Sequence, residues 1–219
     1  MELSELYLDA LAVADKRYST DFYAWLEEMV HTQDETTLAV RRYPRLPIIQ
    51  DLAHALMTER RLIFPNSRRM MLSWTLSCWG VWNVQYRKQW AGFIQSRTEE
   101  AAAFLIDKRC MFVMDHLEEP MLLRPYQTVR TKSGLIGRLN VPKNNSYLWG
   151  IAQGAEKIRG YTPSMIFMDE IEFQEEGHMA LAAALPLLEH DVQLIMASTS
   201  NGPTGPMAQI CVDAGFVRF

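Results

Sequence analysis

Two kinds of hydrophobic pattern alternate along this sequence of 219 residues. Short runs of consecutive apolar residues, bounded by turn-forming residues, are typical of strands that are buried on both faces. Such runs predict strands at residues 61–65, 91–96, 164–170 and 191–199. Further short strand-like pieces lie between residues 125 and 150.

Segments whose apolar positions recur every three or four residues predict the helices. The first 36 residues, residues 48–60 and a tryptophan-rich stretch from about residue 73 have this pattern. Thr98 and the two acids after it are typical of the start of a helix, which the sequence predicts over residues 98–117, and residues 179–190 predict another. We predict a polar connection, marked by prolines, between the N-terminal helices and residue 48. Alternating strands and helices indicate an α/β fold with a mainly parallel sheet flanked by helices.

Composition indicates an ordinary globular protein. Hydrophobic residues make up 48% of the chain and charged residues 22%. The three cysteines are far apart and form no metal-binding spacing, so we expect neither a disulfide framework nor a zinc site. The acidic N-terminus does not resemble a signal peptide. The charge-free stretch 70–86 is short and polar for a bilayer span, and it predicts a buried helix.

Charge is distributed unevenly along the chain. Residues 1–36 carry nine acids and two bases, whereas residues 41–88 carry nine bases and two acids. A basic segment of this kind suits an anionic partner such as phosphate groups or a nucleic-acid backbone. Solvated helix faces are the alternative explanation.

Two adjacent acids, Asp169 and Glu170, directly follow the apolar run at residues 165–168. Carboxylates at the end of a parallel strand lie where open α/β sheets bind ligands. There, an aspartate can hold Mg²⁺ and a glutamate can activate water for attack on a phosphate. The alternative is that both acids begin a solvated loop.

The segment RLIFPNSRRMMLSWTL has the order strand, loop, helix that phosphate-binding loops use. Ser73 stands where the Mg²⁺-binding hydroxyl belongs, and Arg68 and Arg69 lie just upstream. The usual GxxxxGK[ST] pattern is absent, because the loop has no glycine and no lysine before Ser73. Ser198 and Thr199 end a later strand, in a position to sense a terminal phosphate. Gln50 is a candidate for reading an adenine edge, or an ordinary helical glutamine.

The order of these segments resembles the ATPase domain of the large terminase subunit of tailed double-stranded DNA phages. The resemblance rests on PxxQ, SRRxxxS, AGFIQSRTEEAAAFL, GAEKIRGYTPSMIFMDEI and ASTSNGP, and it covers about residues 44–205. It implies a P-loop NTPase core of the ASCE or RecA-like type at residues 41–219. Residues 1–40 would form an N-terminal helical extension.

The resemblance also implies roles for individual residues. Gln50 and the loop would bind ATP, with Arg68 or Arg69 in place of the usual lysine; the loop residues are Ser67, Arg68, Arg69, Met70, Met71, Leu72 and Ser73. Ser73 and Asp169 would hold Mg²⁺, and Glu170 would be the catalytic base. Ser198 and Thr199 would couple hydrolysis to movement. Arg159 would be an arginine finger for a neighbouring subunit, with a surface ion pair as the alternative.

By this resemblance, the chain would be a motor that moves double-stranded DNA into a procapsid through sequence-independent backbone contacts. Its partners would be the portal protein, the small terminase subunit and further copies of itself in a ring, in the cytoplasm of an infected bacterium and transiently docked on the procapsid. No membrane is implied. The sequence ends soon after the coupling residues, so we expect no nuclease activity from it.

One departure from the family affects the phosphate-binding loop. Met71 stands where such loops usually have a glycine, and a side chain with a Cβ disfavours positive φ. We therefore expect weak nucleotide affinity. Two alternatives remain: a helicase-like ATPase that remodels nucleic acid, and a nucleotide-binding protein with a degenerate loop and no turnover.

Overall fold

A computed structural model describes residues 3–34, 36–65, 71–154, 156–199, 205–211 and 215–218. Its helices are α1 Leu3–Tyr18, α2 Phe22–Met29, α3 Pro47–Thr58, α4 Leu72–Tyr86, α5 Glu99–Leu105, α6 Met111–Asp115, α7 Glu156–Arg159, α8 Gly177–Ala184 and α9 Pro206–Cys211. A π-helical turn, Ile106–Cys110, joins α5 to α6, and 3-10 turns span Pro120–Leu122, Pro142–Asn144, Ile171–Phe173 and Leu185–His190.

The strands are β1 His31–Gln33, β2 Val40–Arg42, β3 Arg61–Pro65, β4 Ala91–Ser96, β5 Gln127–Arg130, β6 Ile136–Val141, β7 Ser146–Ala152, β8 Met165–Asp169, β9 Gln193–Ser198 and β10 Val217–Arg218. Eight of them form one sheet in the order β10-β3-β9-β8-β4-β7-β6-β5. Pairing is parallel from β10 to β7 and antiparallel from β7 to β5. The predicted α/β class and mainly parallel sheet are thus confirmed.

The central strands are buried on both faces because side chains point alternately to each side of the sheet. In β8, Met165 and Phe167 belong to one hydrophobic cluster, and Ile166 and Met168 belong to the other. Helices α2 to α6 contribute to the first cluster, and α8 and α9 contribute to the second. This double coverage explains why these strands are continuous apolar runs in the sequence.

The tryptophan-rich helix α4 lies in the first cluster, as its lack of charge predicted. Trp79 and Trp82 are buried, with ring centroids 5.0 Å apart, and Phe22 of α2 contacts both. The N-terminal helices are therefore joined to the sheet through α4. The division into an N-terminal extension and an ATPase domain stays a prediction.

The structure corrects two predicted elements. The connection before residue 48 contains a hairpin, in which β1 pairs antiparallel with β2. The helix predicted at 179–190 begins earlier and ends at Ala184, where Pro186 in the following 3-10 turn lacks the N–H that a longer α-helix needs. Within the described part of the chain, no helix is both long and apolar enough to cross a membrane.

Candidate active site

Three parallel strands end beside one another at one edge of the sheet. The register pairs Pro65 of β3 with Ser198 of β9, and Ala197 of β9 with Asp169 of β8. The carboxyl ends of β3, β8 and β9 therefore lie side by side at the same edge of the sheet. This edge, formed by the carboxyl ends of the strands, is where open α/β sheets bind ligands.

A cavity of about 200 Å³ opens at this edge. Ser73, Asp169 and Glu170 line it together, while their predicted roles in binding phosphate and metal stay predictions. The other residues that line it are Leu72, Leu105, Arg109, Phe167 and Ala197. The start of α4, the end of β8 and the helix after β4 thus meet around a single space.

Burial changes the acidity of Asp169. Loss of solvent and, to a smaller extent, the neighbouring charge of Glu170 raise the pKa of its carboxyl from 3.8 to about 6. The positive charge of Arg109 acts in the opposite direction and lowers this pKa. An ionised Asp169 therefore needs a cation nearby to offset the cost of its burial.

Glu170 occupies a backbone conformation that is uncommon for a residue with a side chain. Its φ of 51° and ψ of 44° lie in the left-handed region, directly after β8 ends. Its Oε2 accepts a hydrogen bond of 3.3 Å from the hydroxyl of Ser198, which is buried at the end of β9. Such strained positions often occur at functional sites.

Ser198 also connects Glu170 to the next part of the chain. The hydroxyl of Ser198 accepts a hydrogen bond of 3.3 Å from the backbone N–H of Glu172. The Glu172 side chain in turn accepts bonds from the N–H groups of Met207, at 2.8 Å, and Ala208, at 3.3 Å, in the first turn of α9. These bonds link the acid pair, the end of β9 and the start of α9.

The residues at this edge fit a magnesium ion. Mg²⁺ prefers oxygen ligands, and it is usually bound by one or two carboxylates together with phosphates and water. The cavity offers the hydroxyl of Ser73 and the carboxylates of Asp169 and Glu170. Among the described residues, this site included, no group of three or more histidine, cysteine or acidic side chains is placed to hold a metal, so the ion would depend on the hydroxyl, phosphates and water as well.

Met71 adopts the backbone conformation that glycine usually supplies. As the N-cap of α4 it has a φ of 54° and a ψ of 12°, and its carbonyl accepts bonds from both the N–H and the hydroxyl of Thr75. Its side chain packs against the larger hydrophobic cluster. Contacts with the core and the first turn of α4 therefore offset the cost of the left-handed conformation.

We expect Met71→Val to lower the free energy of unfolding by about 1–2 kcal/mol relative to Met71→Leu. A β-branched residue tolerates the left-handed region poorly, whereas leucine keeps an unbranched Cβ and a similar volume. Urea unfolding followed by tryptophan fluorescence measures the difference. Equal stability of the two variants would show that this position carries no backbone strain.

Several predicted site residues lie outside this cavity or outside the described ranges. Ser67, Arg68, Arg69 and Met70 fall in the undescribed segment between β3 and Met71. Leu72 is buried and does line the cavity, whereas Thr199, half-buried just after β9, does not line its described part. Gln50 is exposed in the first turn of α3, and it does not line the described part of the cavity. Its role in adenine recognition stays a prediction.

Arg159 lies at the end of α7 and is exposed. It lines a second cavity, of about 680 Å³, together with Glu99, Glu156 and Glu176. Among the described residues it does not line the cavity around Asp169. The structure therefore does not bring Arg159 to the acid pair of its own chain.

The basic segment at residues 41–88 is partly neutralised by acids. Four of its arginines form ion pairs: Arg41 with Asp34, Arg42 with Glu118, Arg45 with Glu27 and Arg60 with Asp191. The alternative of solvated, paired surfaces is thus correct for these four positions.

Sequence reasoning did not identify Arg109 as a residue of the site. It lies in the π-helical turn between α5 and α6, within a segment that the sequence predicts as one regular helix. A π turn shifts the side chains that follow it, and such turns often occur at functional sites. The sequence feature that could have indicated Arg109 was a basic residue within a mostly apolar helical segment.

No protein-family model and no curated protein matches this sequence. Solved structures do match. The ATPase domain of the Thermus phage P74-26 large terminase, as an arginine-to-alanine variant, superposes with a TM-score of 0.58 and 16% identity, covering 81% of each chain. The HK97 bacteriophage large terminase superposes with a TM-score of 0.65 and 13% identity over 91% of this chain.

The chain has the fold of a phage large terminase ATPase domain. A large terminase from a thermophilic bacteriophage, solved with ATP-γ-S, superposes with a TM-score of 0.53 and 14% identity over 75% of this chain. The match spans 43% of the HK97 protein and 40% of the ATP-γ-S-bound protein. The predicted α/β core and the structural resemblance to terminase ATPase domains are thus confirmed for the fold, and the chain spans less than half the length of these two proteins.

Proposed function

We propose that this chain is the ATP-hydrolysing motor domain of a viral DNA-packaging terminase. The observation that carries the proposal is the meeting of Ser73, Asp169, Glu170 and Ser198 at the carboxyl edge of a sheet with the terminase fold. Two terminase structures with this fold were solved with ADP and with ATP-γ-S. A hydroxyl at a helix start, an acid pair and a polar strand end are the groups that phosphoryl transfer to water requires.

In this proposal, the first turn of α4 and the loop before it bind the phosphates of ATP. Backbone N–H groups at a helix start attract phosphate, and an arginine at position 68 or 69 would supply a planar cation that can bond two phosphate oxygens. Ser73 and Asp169 would hold Mg²⁺, which neutralises the charge of the phosphates when bound.

Glu170 is the proposed base for the attacking water. It accepts a proton from the water as the water oxygen bonds to the γ-phosphorus and the bond from phosphorus to the β–γ bridging oxygen breaks, which gives ADP and phosphate. Ser198 donates a hydrogen bond to Oε2 of Glu170, so it fixes the direction of the carboxylate and leaves Oε1 for the water. Ser198 and Thr199 are the proposed coupling residues.

The remaining parts of the proposal concern the partners. Double-stranded DNA would be held through its backbone, without regard to sequence, in a salt-dependent manner. The motor would act as a ring on a portal protein, together with the small terminase subunit, in the cytoplasm of the infected bacterium and docked on the procapsid. The terminase fold supports this assignment.

Phosphate release from ATP by the purified chain, measured with Mg²⁺ over a series of protein concentrations, tests the proposal. A rate that rises faster than linearly with protein concentration is expected, because a ring motor completes its sites between subunits. Nucleotide binding without turnover would support the degenerate-loop alternative. An absence of both binding and turnover would overturn the proposal.

Arg159 is the proposed residue that a neighbouring subunit supplies. We expect Arg159→Ala and Glu170→Gln each to lack most ATP hydrolysis alone, and a mixture of the two to recover a measurable part of it. Each mixed ring then contains some interfaces with an intact Glu170 on one side and an intact Arg159 on the other.

Recovery should depend on protein concentration, because it requires assembly. Glu156→Gln, at the other end of α7, is the matched control and should hydrolyse ATP at the unsubstituted rate. Mixtures whose activity equals the sum of the separate variants would exclude a shared site.

A further inference from the structure

Arg109 lies in the candidate active site without a role in the function proposed above. It lines the same cavity of about 200 Å³ as Ser73, Asp169 and Glu170. Of the described residues around this cavity, Arg109 is the one that carries a positive charge. It reaches the site from the helical segment after β4, on a different element from the phosphate-binding loop.

The backbone around Arg109 is held on both sides of the π turn. The carboxylate of Asp107 accepts a hydrogen bond of 3.0 Å from the N–H of Ile136 in β6. The thiol of Cys110 donates to the carbonyl of Ser77 in α4, at 3.7 Å. The turn is therefore attached both to the sheet and to the helix that begins at the phosphate-binding loop.

An aromatic ring also orients the guanidinium of Arg109. Its central carbon lies 5.6 Å from the ring centroid of Trp74, which is buried in the first turn of α4. Such a contact favours a guanidinium that is partly removed from water. A preformed cation on a fixed element is the arrangement that phosphate recognition favours, because little order is lost on binding.

The charges in the cavity change when a nucleotide enters. The positive charge of Arg109 acts on the carboxyl of Asp169 across this cavity. Binding of Mg²⁺ would neutralise Asp169 instead, and the incoming triphosphate would bring new negative charge to the same space. The guanidinium then faces an anion with which it can form two parallel hydrogen bonds.

We propose that Arg109 contacts the terminal phosphate of the bound nucleoside triphosphate from within the same chain, so that the site distinguishes a triphosphate from a diphosphate. This inference rests on the proposed function, and it names a phosphate-recognising residue outside the loop. Arg159 from a neighbour would complete the site, whereas Arg109 belongs to each site whether or not subunits assemble.

The test is the dissociation constant of the chain for ATP-γ-S and for ADP, each with Mg²⁺, measured by titration calorimetry. Arg109→Ala should weaken ATP-γ-S binding by about 10- to 100-fold, since a hydrogen bond to a charged group is lost, and ADP binding by less than about 3-fold. Arg109→Lys should recover part of the preference, because it keeps the charge but not the planar pair of donors.

Lys108→Ala is the matched control. Lys108 lies in the same π turn, is exposed and pairs with Asp107, so its removal should leave both constants unchanged. If Arg109→Lys weakened the binding of ATP-γ-S and of ADP by the same factor, Arg109 would have a structural role, and the inference would be overturned. Unchanged ATP-γ-S binding by Arg109→Ala would also overturn it. If the unsubstituted chain bound neither nucleotide, the proposed function would fail together with this inference.

Discussion

Replacement of Glu170 by glutamine is expected to lower the rate of ATP hydrolysis by about 10²- to 10⁴-fold, the usual effect of removing a general base. Glutamine has nearly the same shape and can still accept the hydrogen bond from Ser198. It cannot accept a proton from water. Nucleotide affinity should therefore change by less than about 3-fold, since a base adds little to ground-state binding. Steady-state phosphate release and titration calorimetry measure the two quantities.

A nearby acid provides the control for this experiment. Glu175 is exposed a few residues further along the same loop, so Glu175→Gln should leave turnover and affinity unchanged. If Glu170→Gln turned over at the unsubstituted rate, another group would have to activate the water. The assignment of Glu170 as the base would then be wrong.

Replacement of Asp169 by asparagine is expected to stabilise the metal-free chain by up to about 3 kcal/mol at pH 8. Burial raises the pKa of Asp169 from 3.8 to about 6 in the folded chain, so folding favours the protonated form. Its contribution to stability is fully present below pH 4 and is lost as the pH rises through about 6. The gain from asparagine should accordingly be small at pH 4 and reach its maximum above pH 7.

Urea unfolding in EDTA at several pH values measures this dependence. Asp51→Asn changes an exposed aspartate on α3 and should give no comparable gain at any pH. A constant difference between Asp169→Asn and the unsubstituted chain across the pH range would contradict the burial of an ionisable carboxyl at this site. Stabilisation by Asp169→Asn together with lost Mg²⁺-dependent nucleotide binding is the combination expected of a functional acid.

The central strands were predictable because of their burial. Strands β4 and β8 are covered on both faces, so their sequences are uninterrupted apolar runs with polar residues where the sheet ends. The β1–β2 hairpin was not predictable in this way. Its strands have three residues each, and those of β2 are exposed, so no hydrophobic pattern marks them.

The candidate site was predictable from the sequence where a residue with a reactive side chain stands at the end of a strand or the start of a helix. Ser73, Asp169 and Ser198 each stand at the boundary of an element, and parallel pairing brings such boundaries to one edge. Arg109 stands within a helical segment, and its approach to the site depends on a π turn that apolar spacing does not reveal. The left-handed φ of Met71 could be inferred only from comparison with other phosphate-binding loops, which usually have a glycine at this position.

The hydrogen bonds around Ser198 give the domain a mechanical linkage. One hydroxyl serves the Glu170 carboxylate and the Glu172 amide, and the Glu172 side chain holds the N–H groups of Met207 and Ala208. In the proposed reaction, a shift of Glu170 as phosphate departs would move the start of α9 through these few hydrogen bonds. In the proposed motor, the free energy of ATP hydrolysis would be transmitted from the site to α9 through these hydrogen bonds.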